Sequence, residues 1–366
     1  MRKRVLQANL DGTGGAFSLM YQLQKQLSSE YIFDYYWMGK FVSSSRSKEL
    51  EELGSKIYED DLRKNKIIGH LLLPWHFYHF LKDKDYDIVH VNADLAYKEL
   101  LYLIPAKLAG VKKIIIHSHS SGVNGDHKKI KTLLHNICKP FLKGKNVVYL
   151  TCSKVAAKWM FGKNNSAVML NNGVDLKKFQ YDCATRQRIR KKLNVRGIVL
   201  GAVGNLSYQK NPCFLIDLMR NLDSPENYTL LFVGDGDSRR DVEAYAQKRG
   251  VYDKCIFYGN SSDVVELLDA MDIYLMPSRF EGLPVSAVEA QANGLSCILS
   301  NRITDEVKLL PSCKMLDIES GVVEWVKEIK NINVNEDRKA SIKVLKEKGF
   351  DIIDTAKKLK AIYDMG

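Results

Sequence analysis

Glu281 and Glu289 stand eight positions apart in PSRFEGLPVSAVEAQANG, residues 277–294. Residues at that spacing share one face of a continuous helix. Gly282 and Pro284 lie between them, however, and that pair should break a helix. The first acid is therefore expected on a loop. The second is expected in a helix that begins near Pro284 or Val285 and stops at Asn293–Gly294. At about 100° per residue, Val285, Val288, Glu289 and Ala292 project to one side, which places Glu289 within an apolar stripe. A buried carboxylate is costly unless donors meet it; ribose hydroxyls would serve. Backbone N–H groups of Gly282 and its neighbours would face an anion at the helix start. The plainer alternative makes Glu281 a capping carboxylate and Glu289 the acceptor of a structural hydrogen bond.

Other residues with chemical potential follow apolar, strand-like runs. GNLSYQKNP (204–212) sets Lys210 just before a helix starting near Asn211–Pro212, because proline favours the first helical position. A lysine there is mildly unfavourable against the helix dipole unless ligand phosphates lie over the helix end; otherwise it is a solvated surface lysine. DGTGGAF (11–17) carries Gly12, Gly14 and Gly15, a spacing different from GxGxxG. It admits either a phosphate approaching a helix N-terminus or a tight turn with positive φ. VGDGD (233–237) reads as a turn with helix-capping aspartates. HSHS (117–120) puts His117 and His119 at a strand end, where alternation would send them to opposite faces and argues against a shared metal site.

These residues must be held by strands alternating with helices. VLQAN (5–9), FDYYWM (33–38), DIVHVN (87–92), KIIIHSH (113–119) and VVYLT (147–151) are short, apolar and β-branched, with helix-sized spacers. IVLGAVG (198–204), TLLFVG (229–234), CIFYG (255–259), DIYLMP (272–277) and SCILS (296–300) repeat the pattern. Such alternation argues for parallel sheets covered on both faces. A chain of 366 residues suits two domains, with the boundary near NNGVDLKKF (171–179). The reading is α/β: residues 1–175 and 176–351 as two Rossmann-like domains facing a central cleft, with the last helical stretch, near 352–366, either staying on the second or crossing back to the first. Ligands of open parallel sheets bind at the carboxyl ends of the strands, which is where every residue above lies.

The net charge of +12 is uneven: residues 1–175 hold 26 Lys+Arg against 16 Asp+Glu, and residues 176–366 hold 29 against 27. A basic first half suits an anionic partner such as membrane lipid or a phosphate-bearing substrate; no nucleic-acid motif accompanies it. HLLLPWHFYHFL (70–81), flanked by Arg63, Lys64, Lys66, Lys82 and Lys84, reads either as a membrane-surface helix or as a core helix, with Pro74 leaving the helix open to question. The apolar run near the N-terminus is strand-length, too short for a signal peptide. No uncharged run of about 18 residues would span a membrane. The seven cysteines are scattered without CxxC, as expected of reduced cytoplasmic thiols.

Taken together, these segments resemble the GT-B glycosyltransferases of family GT4. EGLPVSAVE matches that family's E-x7-E pattern at Glu281 and Glu289, and GNLSYQKN resembles its G-R-L-x-x-x-K-[GN] element. NNGVD and VGDG resemble its interdomain and second-domain turns. HSHS and SRFEGLP are similar to forms in capsular and exopolysaccharide transferases. The resemblance implies retaining transfer of a sugar from a nucleotide sugar, with UDP the family-level expectation. No DxD acid cluster ends a strand of the first domain to help hold Mg²⁺ on donor phosphates, so turnover is expected to be metal-independent. The acceptor would be a polyprenyl-diphosphate-linked saccharide at an anionic membrane surface, and the location the cytoplasmic face of the plasma membrane.

The resemblance implies that the final helix (352–366) crosses back to the first domain, and it implies roles as well. Lys210 would hold the donor diphosphate, Glu289 the ribose, and Glu281 the transferred sugar, helped by backbone groups of Gly282, Leu283, Pro284 and Val285. Gly14 and Gly15 would let the first domain approach the phosphates, and His119 rather than His117 would reach the sugar. Asn205 stands where the family usually has arginine, which removes a cation and leaves Lys210, Arg279 or another base to compensate. The rival readings are a non-catalytic nucleotide-sugar-binding partner subunit and another GT-B enzyme such as an epimerase.

Overall fold

The computed structural model describes every residue except 1, 42–43, 63–65, 124–126, 335–337 and 366. The chain forms two compact units, Met1–Asn172 with Ile352–Gly366, and Gly173–Asp351. The division falls three residues before the expected 175/176 boundary. It follows the short strand in which the first sheet ends.

In the first unit the elements run β1 (Lys3–Ala8), α1 (Gly14–Leu27), β2 (Tyr31–Trp37), α2 (Ser44–Glu52), β3 (Ile57–Glu59), α3 (Lys66–Lys82), β4 (Ile88–Ala93) and α4 (Ala96–Leu108). They continue with β5 (Lys113–Ser118), α5 (Lys128–Cys138), β6 (Val147–Thr151), α6 (Lys154–Phe161) and β7 (Val168–Met169). The sheet is parallel, in the order β3-β2-β1-β4-β5-β6-β7. Val5, Leu6, Val89, Val91 and Ile114 to Ile116 are buried, because helices cover both faces. The strands β3 and β7 escape sequence reading because two or three residues carry no periodicity. Pro74 lies inside α3. Arg63 and Lys64 lie outside the described residues.

The second unit contains α7 (Cys183–Lys192), β8 (Ile198–Val203), α8 (Pro212–Arg220), β9 (Tyr228–Val233), α9 (Arg239–Arg249), β10 (Cys255–Gly259) and α10 (Val264–Ala270). Next come β11 (Ile273–Met276), α11 (Val285–Ala292), β12 (Ser296–Ser300), β13 (Cys313–Leu316), α12 (Val323–Asn331) and α13 (Ser341–Glu347). Its sheet is also parallel, ordered β10-β9-β8-β11-β12-β13. Leu200, Leu230, Ile273 and Ile298 pack with Leu215, Met219 and Trp325 in its core.

The last helix, α14 (Ile352–Asp364), belongs to the first unit. Ile352, Ala356, Leu359, Ile362 and Tyr363 join the core under α1. Asp364 accepts from Tyr31 Oη at 2.7 Å and pairs with Lys3 and Lys360, and Lys113 Nζ donates to the carbonyls of Ile362 and Tyr363 at 3.0 Å. A lysine at a helix C-terminus satisfies carbonyls that have no partner within the helix.

Candidate active site

β8 and β11 flank the position where the order of the six-stranded sheet reverses, the usual ligand crevice of such sheets. Lys210 lies on the loop after β8, and its stem crosses Gly204. That glycine has φ +140°, and a Cβ on it would stand 2.8 Å from Lys210 Cε. Both the backbone conformation and the close approach therefore demand glycine. Lys210 Nζ meets Glu281 Oε1 at 2.8 Å. Gln209 Nε2 donates to Glu281 Oε2 at 2.9 Å and to the Phe280 carbonyl at 3.1 Å, while Arg279 N–H donates to the Gln209 carbonyl at 2.8 Å. The loops after β8 and β11 are thus laced together, and Glu281 is only 8% exposed. Lys210 and Glu281, expected to serve different parts of one ligand, are brought into direct contact. A cavity lined by Gly204, Asn205, Lys210, Phe232, Met276 and Pro277 opens beside them.

Glu289 corrects the stripe expected from hydrophobicity. α11 buries Ala287, Val288, Ala290, Gln291 and Ala292 and leaves Val285, Ser286 and Glu289 half-buried. The polar Gln291 sits inside because it donates to the Val307 carbonyl at 2.8 Å and accepts from Leu309 and Leu310 N–H at 3.0 Å. A satisfied buried amide is invisible to an apolar count, so the stripe was centred wrongly. The Glu289 carboxylate has no hydrogen-bond or ion-pair partner among the described residues. Burial pushes its pKa up to about 7, with Lys178 opposing. Nearby on the same helix Ser286 Oγ accepts from Tyr274 Oη at 2.9 Å. The helix begins after Pro284 without a side-chain cap or an acid in its first turn, which leaves its positive end suited to an anion. Gly282, Leu283 and Pro284 are buried.

VGDGD does not cap a helix. α9 starts after Ser238, and Asp235 instead accepts from Gly236 N–H at 2.8 Å and pairs with Arg239 at 3.4 Å. Its glycines permit a close crossing: a Cβ on Gly234 would lie 2.3 Å from the Gly204 oxygen, and one on Gly236 2.5 Å from that of Leu206. Asn205 is exposed. Arg279 is tied to the same loop, donating to Asn211 Oδ1 at 2.7 Å with its guanidinium 4.6 Å from the centre of the Tyr208 ring. Arg279 is thus a cation held against a ring and an amide of the loop that carries Asn205 and Lys210.

In the first unit, Gly14 opens α1 with φ +78° and open space around it. Thr13, at the N-cap, makes no side-chain cap bond. Gly15 follows in the first turn. His117 and His119 do not point to opposite faces: their ring centroids are 3.8 Å apart. β5 ends at Ser118, so His119 lies beyond the strand and is released from its alternation. His119 Nε2 meets Asn92 Oδ1 at 2.9 Å, and His117 Nδ1 meets His90 Nε2 at 3.2 Å. Burial holds all three imidazoles well below their ordinary pKa, at about 3 for His90 and His119, so they are neutral. Sequence reasoning missed Gln209, His90, Asn92 and Tyr363. Only Gln209, adjacent to Lys210, carried any local signal.

Residues 185–307 match the family described as Glycosyl transferases group 1. EpsF of Bacillus subtilis is 27% identical over 67% of this chain and 65% of its own length. The UDP-Gal:alpha-D-GlcNAc-diphosphoundecaprenol alpha-1,3-galactosyltransferase of Escherichia coli is 28% identical over 61% of this chain and 60% of its own. The capsular polysaccharide biosynthesis glycosyltransferase CapH of Staphylococcus aureus is 25% identical over 86% and 85%. The chain thus spans slightly under two thirds of the first two relatives. Among solved structures, Anabaena HepE in complex with UDP and glucose superposes with a TM-score of 0.78 at 14% identity, covering 99% of both chains. WaaG, a glycosyltransferase involved in lipopolysaccharide biosynthesis, does so at 0.71 and 15% identity, over 99% of this chain and 100% of its own. These likenesses show the two-domain fold.

Proposed function

Because the chain carries a group 1 glycosyltransferase domain on a two-domain GT-B fold, we propose that it transfers a sugar from a nucleotide sugar to a lipid-linked saccharide in surface-polysaccharide synthesis. The observation that carries this reading is the constellation at the β8/β11 crevice: a Lys210–Glu281 pair near an uncapped helix start and a Glu289 carboxylate that has no partner among the described residues. UDP is the proposed nucleotide, since HepE is seen with UDP and glucose. A polyprenyl-diphosphate saccharide is the proposed acceptor, given the acceptor named for the Escherichia coli relative.

In the proposed reaction the bond from sugar C1 to the β-phosphate oxygen breaks, and a bond from C1 to the acceptor oxygen forms on the same face. The acceptor proton passes to the departing phosphate oxygen. Negative charge grows on the diphosphate, where Lys210 and the amides opening α11 stabilise it by electrostatic preorganisation. Glu281 serves best as a fixed acceptor for sugar hydroxyls, because both of its oxygens are already engaged. Glu289 would accept the ribose hydroxyls. Metal-independent turnover is part of the same proposal. The test is transfer from a nucleotide sugar in EDTA, with the anomer of the product read by NMR. Undiminished rates and a retained anomer are expected; an inverted product, or activity lost in EDTA and restored by Mg²⁺, would overturn the mechanism.

No helix among the described residues is long and apolar enough to cross a membrane. The proposed membrane contact is peripheral and centres on α5 more than on the 70–81 stretch. α5 buries only His135, whose Nδ1 accepts from Ala96 N–H at 2.9 Å and whose Nε2 donates to the Trp159 carbonyl at 3.0 Å. Ile130, Leu133, Leu134 and Ile137 are all exposed, with Lys128, Lys129 and Lys131 on the same helix. α3 adds exposed Leu71 and Trp75, while its Leu73, Phe77 and Leu81 pack in the core. Apolar residues flanked by lysines suit an anionic bilayer surface. Vesicles rich in phosphatidylglycerol should sediment the protein at low salt, and Leu133→Glu with Ile137→Glu should abolish this. Equal sedimentation of the double variant would contradict the assignment.

A further inference from the structure

The buried polar residues of the first unit form one network with a single polarity. One backbone carbonyl sets it. Asn92 Nδ2 lies 3.3 Å from the His90 carbonyl and 3.0 Å from Gln7 Oε1. A carbonyl can only accept, so the Asn92 amide nitrogen faces it and Asn92 Oδ1 faces His119. His119 must then carry its proton on Nε2 to donate across 2.9 Å. In the other direction, Gln7 presents its oxygen to Asn92, so its Nε2 donates to Tyr363 Oη at 3.2 Å. The Tyr363 hydroxyl proton is left to donate to His90 Nδ1 at 2.8 Å. His90 therefore carries its proton on Nε2 and donates to His117 Nδ1 at 3.2 Å, and His117 carries its own proton on Nε2.

Two atoms end this network. His117 Nε2–H is a donor and His119 Nδ1 a lone pair, and both are buried without a partner among the described residues. They do not satisfy each other: the rings are tilted by 41° with centroids 3.8 Å apart, and neither atom finds a hydrogen-bond partner in the other ring. A hydroxyl, which accepts and donates at once, would satisfy both.

We propose that Tyr363 is a positioning residue: acting through His90, the C-terminal helix fixes the proton of His117 on Nε2, so that the histidine pair offers one donor and one acceptor to a saccharide hydroxyl. The inference rests on the transferase reading for its saccharide ligand, but the tautomers can be read without any activity. In long-range ¹H–¹⁵N spectra of histidine-labelled protein, both His117 and His119 should show the neutral Nε2–H pattern between pH 6 and 8. In Tyr363→Phe, which keeps the ring and removes the hydroxyl, His117 should show mixed tautomers and His119 should be unchanged. Turnover should fall roughly tenfold, with donor KM within about twofold. Gln7→Glu provides an independent check on polarity. Its carboxylate would accept the Tyr363 hydroxyl, reverse the His90 bond and move the His117 proton to Nδ1. Unaltered His117 tautomers in both variants would overturn the network. Altered tautomers with unchanged kcat and KM would overturn the positioning role, and altered tautomers without any transferase activity in the wild type would sink the saccharide ligand while leaving the network intact.

Discussion

Replacing Lys210 with alanine is expected to lower kcat by roughly 100- to 1,000-fold while donor affinity changes only a few-fold. The lysine lines the cavity beside Gly204, and its benefit grows as charge develops on the leaving diphosphate. The substitution also removes the partner of Glu281, a nearly buried carboxylate, and leaving such a charge unpaired is destabilising. A fall in melting temperature is therefore expected together with the kinetic loss. Lys210→Ala combined with Glu281→Gln separates the two effects: the neutral amide needs no cation, so stability should recover while turnover does not. If the double variant regained turnover with its stability, Lys210 would be a structural residue. Stopped-flow or steady-state kinetics beside a thermal melt reads both.

Replacing Glu289 with glutamine should have opposite effects on stability and binding. The folded-state pKa of about 7 lies above the ordinary carboxylate value of about 4.3. Between those values the native state holds a proton that the unfolded chain has lost, so stability falls as pH rises across the window. Above pH 7 the folded protein carries a poorly compensated carboxylate. Glu289→Gln, which stays neutral, should match wild type near pH 4 and melt higher than it at pH 8. Donor affinity should move the other way, dropping roughly 10- to 100-fold with loss of charge-assisted bonds to ribose hydroxyls. A variant neither stabilised at pH 8 nor impaired in donor binding would show that the carboxylate has no partner to wait for. Stability given up at one residue in exchange for binding is the usual relation between strain and function.

Most strands of both sheets were legible because buried parallel strands are continuous apolar runs such as KIIIHS and SCILS, while the short β3, β7 and β13 were missed; the helix starts were legible from Pro212 and the Gly282–Pro284 break. The return of α14 to the first unit came from resemblance; nothing in Ile352–Asp364 alone says which sheet it will cover. The site was legible as a set of strand-end residues, not as an arrangement. That Lys210 would touch Glu281 depends on Gly204 letting the lysine stem cross it, a contact between loops 70 residues apart in sequence and therefore unmarked by local pattern. The histidines failed for a sharper reason: alternation holds only while the chain stays in the strand, and β5 stops one residue before His119. Gln291 misled the reading of α11 because a buried amide whose bonds are all met looks, in sequence, like a surface residue.

The central claim is that the β8/β11 crevice of the second unit binds a nucleoside diphosphate sugar. It is tested most directly by isothermal calorimetry of a panel of nucleotide sugars and their free diphosphates against the purified chain, with Glu289→Gln measured in parallel. One nucleotide series should bind with a stoichiometry of one, and the variant should bind that series at least tenfold more weakly. Absence of binding for every nucleotide at millimolar concentration, or equal binding by the variant, would contradict the account.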